Sequence, residues 1–309
     1  MKFNRKNMNR KILFIFILFA KTIYGQQDAQ SSFYFFNPLN FNPAYAGTRG
    51  TFNITAVSRL QWTGWDGAPN TQFLSLHTPI VRERIGVGAT VSYDKIGARS
   101  SLNTSANFSY HLQLNENNLR LSLGLSAMFQ QQRYNFSGLQ VTDPSDPNYQ
   151  IASSSISPNF GWGAYLYDKR FYMGISTPRL LKQSIDNNNN ELSFLQPHFY
   201  FMGGYVFKIN SVVDLKTSTL IKTTSNTPST TDLNISGYFY KIFWTGVMYR
   251  FNESIGFNTS IQINDNLMVG YAFDYPINSM HFTQLVTNEL VVCIDLKSKK
   301  KAYLSPRYF

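Results

Sequence analysis

The chain has 309 residues, of which 43% are hydrophobic, 16% aromatic and 15% charged, with 19 Tyr and 26 Phe. Its formal net charge of +11 belongs to the ends: six of the 28 basic residues lie in positions 1–25 and five in the tail from Lys297 to Phe309, leaving 17 basic against 17 acidic residues between them. A neutral body lacks the basic face that nucleic-acid binding needs, and the single Cys293 rules out an internal disulfide and reads as a small buried filler.

The chain opens on a secretory signal. Lys2, Arg5, Lys6, Arg10 and Lys11 form a basic region, Ile12 to Ala20 an apolar one, and Ile23-Tyr24-Gly25 a cleavage site ahead of Gln26. That apolar run is too short to span a bilayer as a helix, and nothing after it approaches 18 consecutive apolar residues. Four units follow from the pattern: a signal at 1–25, an N-terminal segment at 26–50, a β-barrel at 51–296 and a basic tail at 297–309.

The N-terminal segment, QQDAQSSFYFFNPLNFNPAYAGTRG, carries Phe33, Tyr34, Phe35, Phe36, Phe41 and Tyr45, too much apolar surface for a free tail in water. The steps Asn37-Pro38 and Asn42-Pro43 and the turn at Gly47 argue against a long helix. The segment is therefore expected to pack at or in the barrel mouth, with Phe33, Phe36, Asn37, Pro38, Asn42, Pro43, Ala44, Tyr45 and Gly47 as its key residues.

From Gly50 onward the period is two. Leu102, Thr104, Ala106, Phe108, Tyr110, Leu112 and Leu114 alternate with polar residues, and after the turn at Asn115 to Asn118 the alternation restarts with Leu119, Leu121, Leu123, Leu125, Ala127 and Phe129. These runs exceed the ordinary globular strand of about 5–6 residues and pass the ~9–11 residues that a tilted strand needs to cross a bilayer. One greasy and one wet face at that length predict a transmembrane antiparallel β-barrel.

Fourteen strands are predicted, near 51–60, 70–79, 85–93, 101–114, 118–133, 157–167, 170–177, 197–209, 212–222, 231–240, 243–251, 254–263, 267–274 and 284–296. Short connections alternate with longer ones at 61–69, 94–100, 134–156, 178–196, 223–230 and 275–283, broken only by a tight turn at Asn252-Glu253. Short turns on the periplasmic side and long loops outside are the habit of outer-membrane barrels, which predicts an integral outer-membrane protein with both termini periplasmic. The same alternation turns Arg59, Arg120, Asp214, Lys216, Lys222, Arg250, Asp274, Glu289 and Asp295 toward the lumen. The long loop at 134–156 offers Tyr134, Phe136, Tyr149 and Ile151 as a partner-binding surface. The basic tail, with Lys297, Lys299, Lys300 and Lys301, suits anionic lipid head groups, an acidic partner or plain solvent.

The string NPLNFNPAYAG at Asn37 to Gly47 resembles the N-terminal signature of the PorP/SprF family, outer-membrane proteins of the type IX secretion and gliding-motility system of Bacteroidetes. SRLQW at Ser58 to Trp62, APNTQFLSLHTPI at Ala68 to Ile80, WTGVMYRFNESIG at Trp244 to Gly256, MVGYAFDYP at Met268 to Pro276 and the terminal SPRYF are similar to later blocks. Where the family shows a Ser-His-Glu-like group entering its last strand, this chain has Thr287-Asn288-Glu289 and keeps the glutamate. The resemblance implies a barrel that works with other type IX components to export or hold large surface adhesins carrying a sorting C-terminal domain.

Motifs of catalysis are missing from the sequence: it has no H-E-x-x-H, C-x-x-C, G-x-S-x-G or phosphate-binding glycine loop, and His77, His111, His198 and His281 are scattered. Asp143 and Asp146 in VTDPSDPN read as turn chemistry ahead of a calcium loop. No enzyme, cofactor or metal is expected. The leading alternative is an outer-membrane channel or hydrophobic-compound transporter with an N-terminal hatch, and an outer-membrane lipase is a distant third.

Overall fold

A computed structural model describes residues 30–81, 83–115, 119–136, 153–187, 190–225, 227–278 and 285–296. The signal expected at 1–25, the basic tail at 297–309, Tyr149 and Ile151 lie outside these residues. Among these described residues the elements are two 3-10 turns, η1 (Pro38–Asn40) and η2 (Pro43–Tyr45), and sixteen strands. These are β1 (Phe52–Leu60), β2 (Asn70–Ile80), β3 (Ile85–Ile96), β4 (Arg99–Gln113), β5 (Arg120–Tyr134), β6 (Ser153–Tyr167), β7 (Phe171–Thr177), β8 (Gln183–Asn187), β9 (Asn190–Leu195), β10 (His198–Lys208), β11 (Val213–Thr224), β12 (Thr227–Phe239), β13 (Phe243–Arg250), β14 (Ser254–Gln262), β15 (Leu267–Pro276) and β16 (Thr287–Leu296).

Fourteen of the strands close into one antiparallel barrel, with β8 and β9 forming a separate two-stranded hairpin in the connection from β7 to β10. Closure is made by β1 against β16, from Phe52 opposite Leu296 to Leu60 opposite Asn288, so the barrel leaves no unpaired edge in lipid. The long amphipathic run supplies β4 and β5, which pair from Arg99 opposite Tyr134 to Gln113 opposite Arg120.

Side-chain burial follows the alternation. Leu123 and Leu125 are 49% and 64% exposed on the outer wall while Ser122 between their neighbours is fully buried inside. The outside is apolar because it meets lipid, and the polar residues turn inward. Exposed aromatics stand near both ends of the wall, Phe207, Tyr240 and Phe243 toward the rim of the barrel's own ends and Tyr93, Phe251 and Tyr275 toward the opposite rim, where their mixed polarity suits the membrane interface.

Two connections expected to be long are tight. β3 and β4 are joined by Gly97-Ala98, and β11 and β12 by Ser225 and its neighbour. The second stretch reads as loop through Asn226 and Pro228 and the first through Asp94 and Lys95, all residue types depleted in strands. In the barrel Asp94 and Lys95 continue the ladder, and Asp94 accepts a hydrogen bond from Thr71 Oγ1 at 2.6 Å across the inner wall. The hairpin of β8 and β9 also falls inside a stretch expected to be loop.

Candidate functional site: the filled lumen

Residues 30–50 run through the lumen from one rim to the other. Gln30 Nε2 donates to Glu253 Oε2 in the turn between β13 and β14, at the rim that carries the longer loops. Arg49 pairs with Asp295 at 2.8 Å, one residue before the end of β16, at the rim where the barrel begins and ends. The barrel's own ends therefore share a rim as expected, but the first described residue lies at the other one. The segment ascends the lumen from Arg49 to Gln30 and so lies against the inner wall along the length of the barrel.

Local chemistry shapes the segment. Proline occupies the first positions of η1 and η2, where its fixed φ fits and its missing N–H costs no helical bond. Asn42 caps η2 by accepting from the Ala44 N–H at 2.9 Å. Phe33, Phe35 and Phe36 stack as a cluster, Phe35 and Phe36 with centroids 4.7 Å apart, and Phe36 meets Trp244 of β13 edge-on at 6.2 Å. Over them lies the Lys216 ammonium of β11, 4.9 Å from the Phe35 ring, 5.4 Å from Phe36 and 5.7 Å from Trp244, within the range of cation–π attraction.

The lower part is seated in the wall by glycines. A methyl group at Gly86 of β3 would overlap the Ala46 carbonyl, one at Gly124 of β5 would overlap the Ala44 backbone, and one at Gly163 of β6 would overlap the Asn42 amide. Only hydrogen at Gly86 and Gly124 lets the backbone of the segment lie against the sheet, and Gly163 leaves room for the Asn42 side chain. Polar side chains then satisfy it. Ser109 Oγ donates to the Ala46 carbonyl at 2.7 Å, with His111 Nε2 2.9 Å from the same oxygen. The Gly47 N–H donates to His77 Nδ1, Ser176 Oγ donates to the Phe41 carbonyl, Ser75 Oγ donates to Asn37 Oδ1, and Asn42 Nδ2 donates to the Ala164 carbonyl. Gly47 itself has φ +77, a left-handed turn that suits glycine. Buried backbone groups without such partners would each cost on the order of 1–3 kcal/mol.

Charge holds the upper end. Arg59 of β1 pairs with Asp274 of β15 at 3.1 Å and with Glu289 of β16 at 2.8 Å. Into this triad the segment inserts Ser31 Oγ and the Phe33 N–H, both donating to Glu289 Oε1, the Ser32 N–H, donating to Glu289 Oε2, and Ser32 Oγ, donating to Asp274 Oδ2. Arg250 of β13 stands beside it, paired with Asp232 at 2.8 Å and reaching Glu253 at 3.4 Å.

Of the residues singled out from sequence, Phe33 to Gly47 and the charged set Arg59, Lys216, Arg250, Asp274 and Glu289 thus meet inside the barrel. Asp295 joins them at the lower end, accepting from Thr51 and Asn53 as well as from Arg49. Asp214 is buried on the inner face of β11, and Arg120 bonds Glu83 at 3.1 Å near the lower rim, apart from the segment. Tyr134 and Phe136 stack at 6.2 Å at the top of β5. Sequence reasoning missed the seats Gly86, Gly124 and Gly163 and the anchors Ser75, His77, Ser109 and His111. Their visible signal is glycine and small polar residues at the inward phase of long strands.

A closed antiparallel barrel with a lipid-facing apolar wall and a polar, filled lumen defines an integral outer-membrane protein. The chain belongs to the type IX secretion system membrane protein PorP/SprF family, whose model matches residues 23–293. Among solved structures, the CymD monoaromatic hydrocarbon channel is 11% identical with a TM-score of 0.52, covering 84% of this chain and 91% of that one. The toluene transporter TbuX of Ralstonia pickettii is 10% identical at 0.48, covering 83% and 92%, and the outer membrane protein Omp33 of Acinetobacter baumannii is 11% identical at 0.47, covering 80% and 98%. The first of these likenesses shows the barrel fold alone. No curated protein matches the sequence.

Proposed function

We propose that this barrel is a binding component of the type IX machinery that grips an exported surface adhesin through its sorting C-terminal domain, supporting its export or retention, and does not itself conduct. The observation that carries this reading is the segment at 30–50, seated against glycines and bonded at both rims, which suits a permanent filling better than a moving gate. Tyr134 and Phe136, with Tyr149 and Ile151 further along the same loop, supply aromatic and apolar surface for docking at the outer rim, and the neutral body offers little charge to steer a partner. The longer loops then face outward and the barrel's ends face the periplasm.

The test is surface display of the adhesin in the native host. Deleting the chain is expected to abolish display, and replacing Phe136 and Tyr149 with Ser to reduce it at unchanged barrel abundance. Undiminished display without the chain would contradict the reading. A second reading, a channel for hydrophobic compounds with the segment as hatch, takes support from the fold shared with CymD. It requires conductance or uptake by the full chain in planar bilayers or vesicles.

A further inference from the structure

The charge of the body, neutral in sum, is unevenly placed. At the rim of the barrel's own ends stand Arg84 in the turn from β2 to β3, Lys169 and Arg170 between β6 and β7, Lys208 at the foot of β10, and Lys241 between β12 and β13. All five are exposed, and among the described residues none pairs with a carboxylate. The described acidic residues of that rim are largely engaged. Glu83 is held by Arg120 at 3.1 Å, Asp295 by Arg49 at 2.8 Å, and Asp168 accepts the Lys169 N–H at 2.6 Å. Asp214 is buried inside, and Asp265 stands exposed between β14 and β15. Three of the basic turns also set an apolar side chain in the open beside the cation: Val81 is 63% exposed, Ile209 58% and Tyr240 73%. Val81 has φ +47 and Tyr240 φ +53, left-handed backbone that a β-branched or bulky residue adopts only at a cost. With both side chains exposed, packing inside the protein does not offset that cost.

A dissolved anion would answer the cations and leave Val81, Ile209 and Tyr240 in water. An acidic protein would need the cations gathered on one patch, whereas they are spread over four turns around the barrel mouth. A lipid interface meets both demands at once, with phosphate at the height of each cation and acyl chain beside the apolar side chain. We propose that this rim binds anionic phospholipid head groups, Arg84, Lys169, Arg170, Lys208 and Lys241 meeting the phosphates. The lipid class follows from the chemistry of the rim. That the leaflet concerned is the periplasmic one rests on the orientation proposed above.

The experiment reconstitutes the full chain into nanodiscs of equal parts phosphatidylglycerol and phosphatidylcholine with matched acyl chains, and counts by native mass spectrometry the lipids it retains on release. Both leaflets have the same composition, so the result does not depend on orientation. The wild type is compared with Lys169→Gln/Arg170→Gln, with all five cations changed to Gln, with Lys95→Gln/Arg133→Gln at the opposite rim, and with a chain lacking residues 297–309. Folding of each is checked by heat-modifiable gel mobility. The wild type is expected to retain phosphatidylglycerol about fivefold over phosphatidylcholine. The double variant should lose part of that preference and the fivefold variant all of it, while the opposite-rim variant keeps it and the shortened chain keeps most of it. Equal retention of the two lipids by the wild type would assign the basic rim to another partner, such as an acidic protein, and overturn the proposal. An undiminished preference in either folded rim variant, an equal loss in the opposite-rim variant, or complete loss on removing 297–309 alone would overturn it as well.

Discussion

The two ends of the lumen segment are held by different chemistry. Its stretch from Asn42 to Gly47 lies against three glycines and is bonded through neutral groups, so shape fixes it, with the Arg49–Asp295 pair at its foot. Its upper end, Ser31 to Phe33, hangs on the carboxylates of Glu289 and Asp274, which Arg59 holds in place. Contact by shape leaves no alternative position, while hydrogen bonds to a charged cluster can be exchanged for those of another donor or for water. The lower part is accordingly the anchor, and the upper end, Ser31 to Phe33, is the part expected to loosen first.

Breaking the anchor should have the largest effect. Gly124→Leu is expected to prevent the segment from seating, collapsing the yield of folded barrel in lipid vesicles. Removing residues 30–50 in the same chain should restore that yield, since the clash is with Ala44 and not with the wall. A double variant that folds no better than Gly124→Leu alone would place the damage in the sheet. Next comes the charged cluster. Arg59→Ala strands two buried carboxylates and should cost about 3–5 kcal/mol in urea titrations, and it should expose Ser31 to Phe33 to protease while the stretch from Pro38 to Gly47 stays protected. Equal protection at both ends would erase the distinction between them.

The outer wall provides the scale for these effects. Leu123→Arg, facing lipid near mid-strand, should cost about 2–4 kcal/mol. The sequence alone suggests that Arg at Ser122 would be cheap because it points inward. Ser122 is fully buried on a strand that packs against η2, so a large cation there is expected to be costly as well, and Thr230→Arg, lining the open cavity beside Gln30, is the appropriate mild comparison. Smallest should be Lys216→Met, which keeps the length and loses the attraction to Phe35, Phe36 and Trp244, an effect of about 1 kcal/mol.

The outer wall was legible from sequence because lipid demands an unbroken apolar alternation, as in Leu121, Leu123 and Leu125. The lumen was legible only as polarity. Which inward residues matter depends on what crosses the barrel, and no periodicity reports that. Glu289 and Asp274 look like ordinary lumen charges until Ser31 and Ser32 reach them, and Gly86, Gly124 and Gly163 look like weak points in strands until the segment lies against them. The aromatic run Phe33 to Phe36 indicated burial, but not the direction of the chain. That direction is set by which rim supplies the carboxylates and which supplies the Asp295 cluster. Connection length was misread where Asp94, Lys95 and Pro228, residue types depleted in strands, lie inside β3 and β12.

The central claim is that residues 30–50 are seated in the lumen, and the chain's one cysteine reports on it. Cys293 lies on the inner face of β16 and is only 3% exposed. The measurement is the rate at which a water-soluble, membrane-impermeant maleimide labels it in the folded full chain and in a folded variant lacking residues 30–50. Slow labelling of the full chain and labelling at least tenfold faster in the deletion is the expected result. Equal rates in the two folded proteins would contradict a lumen filled by this segment.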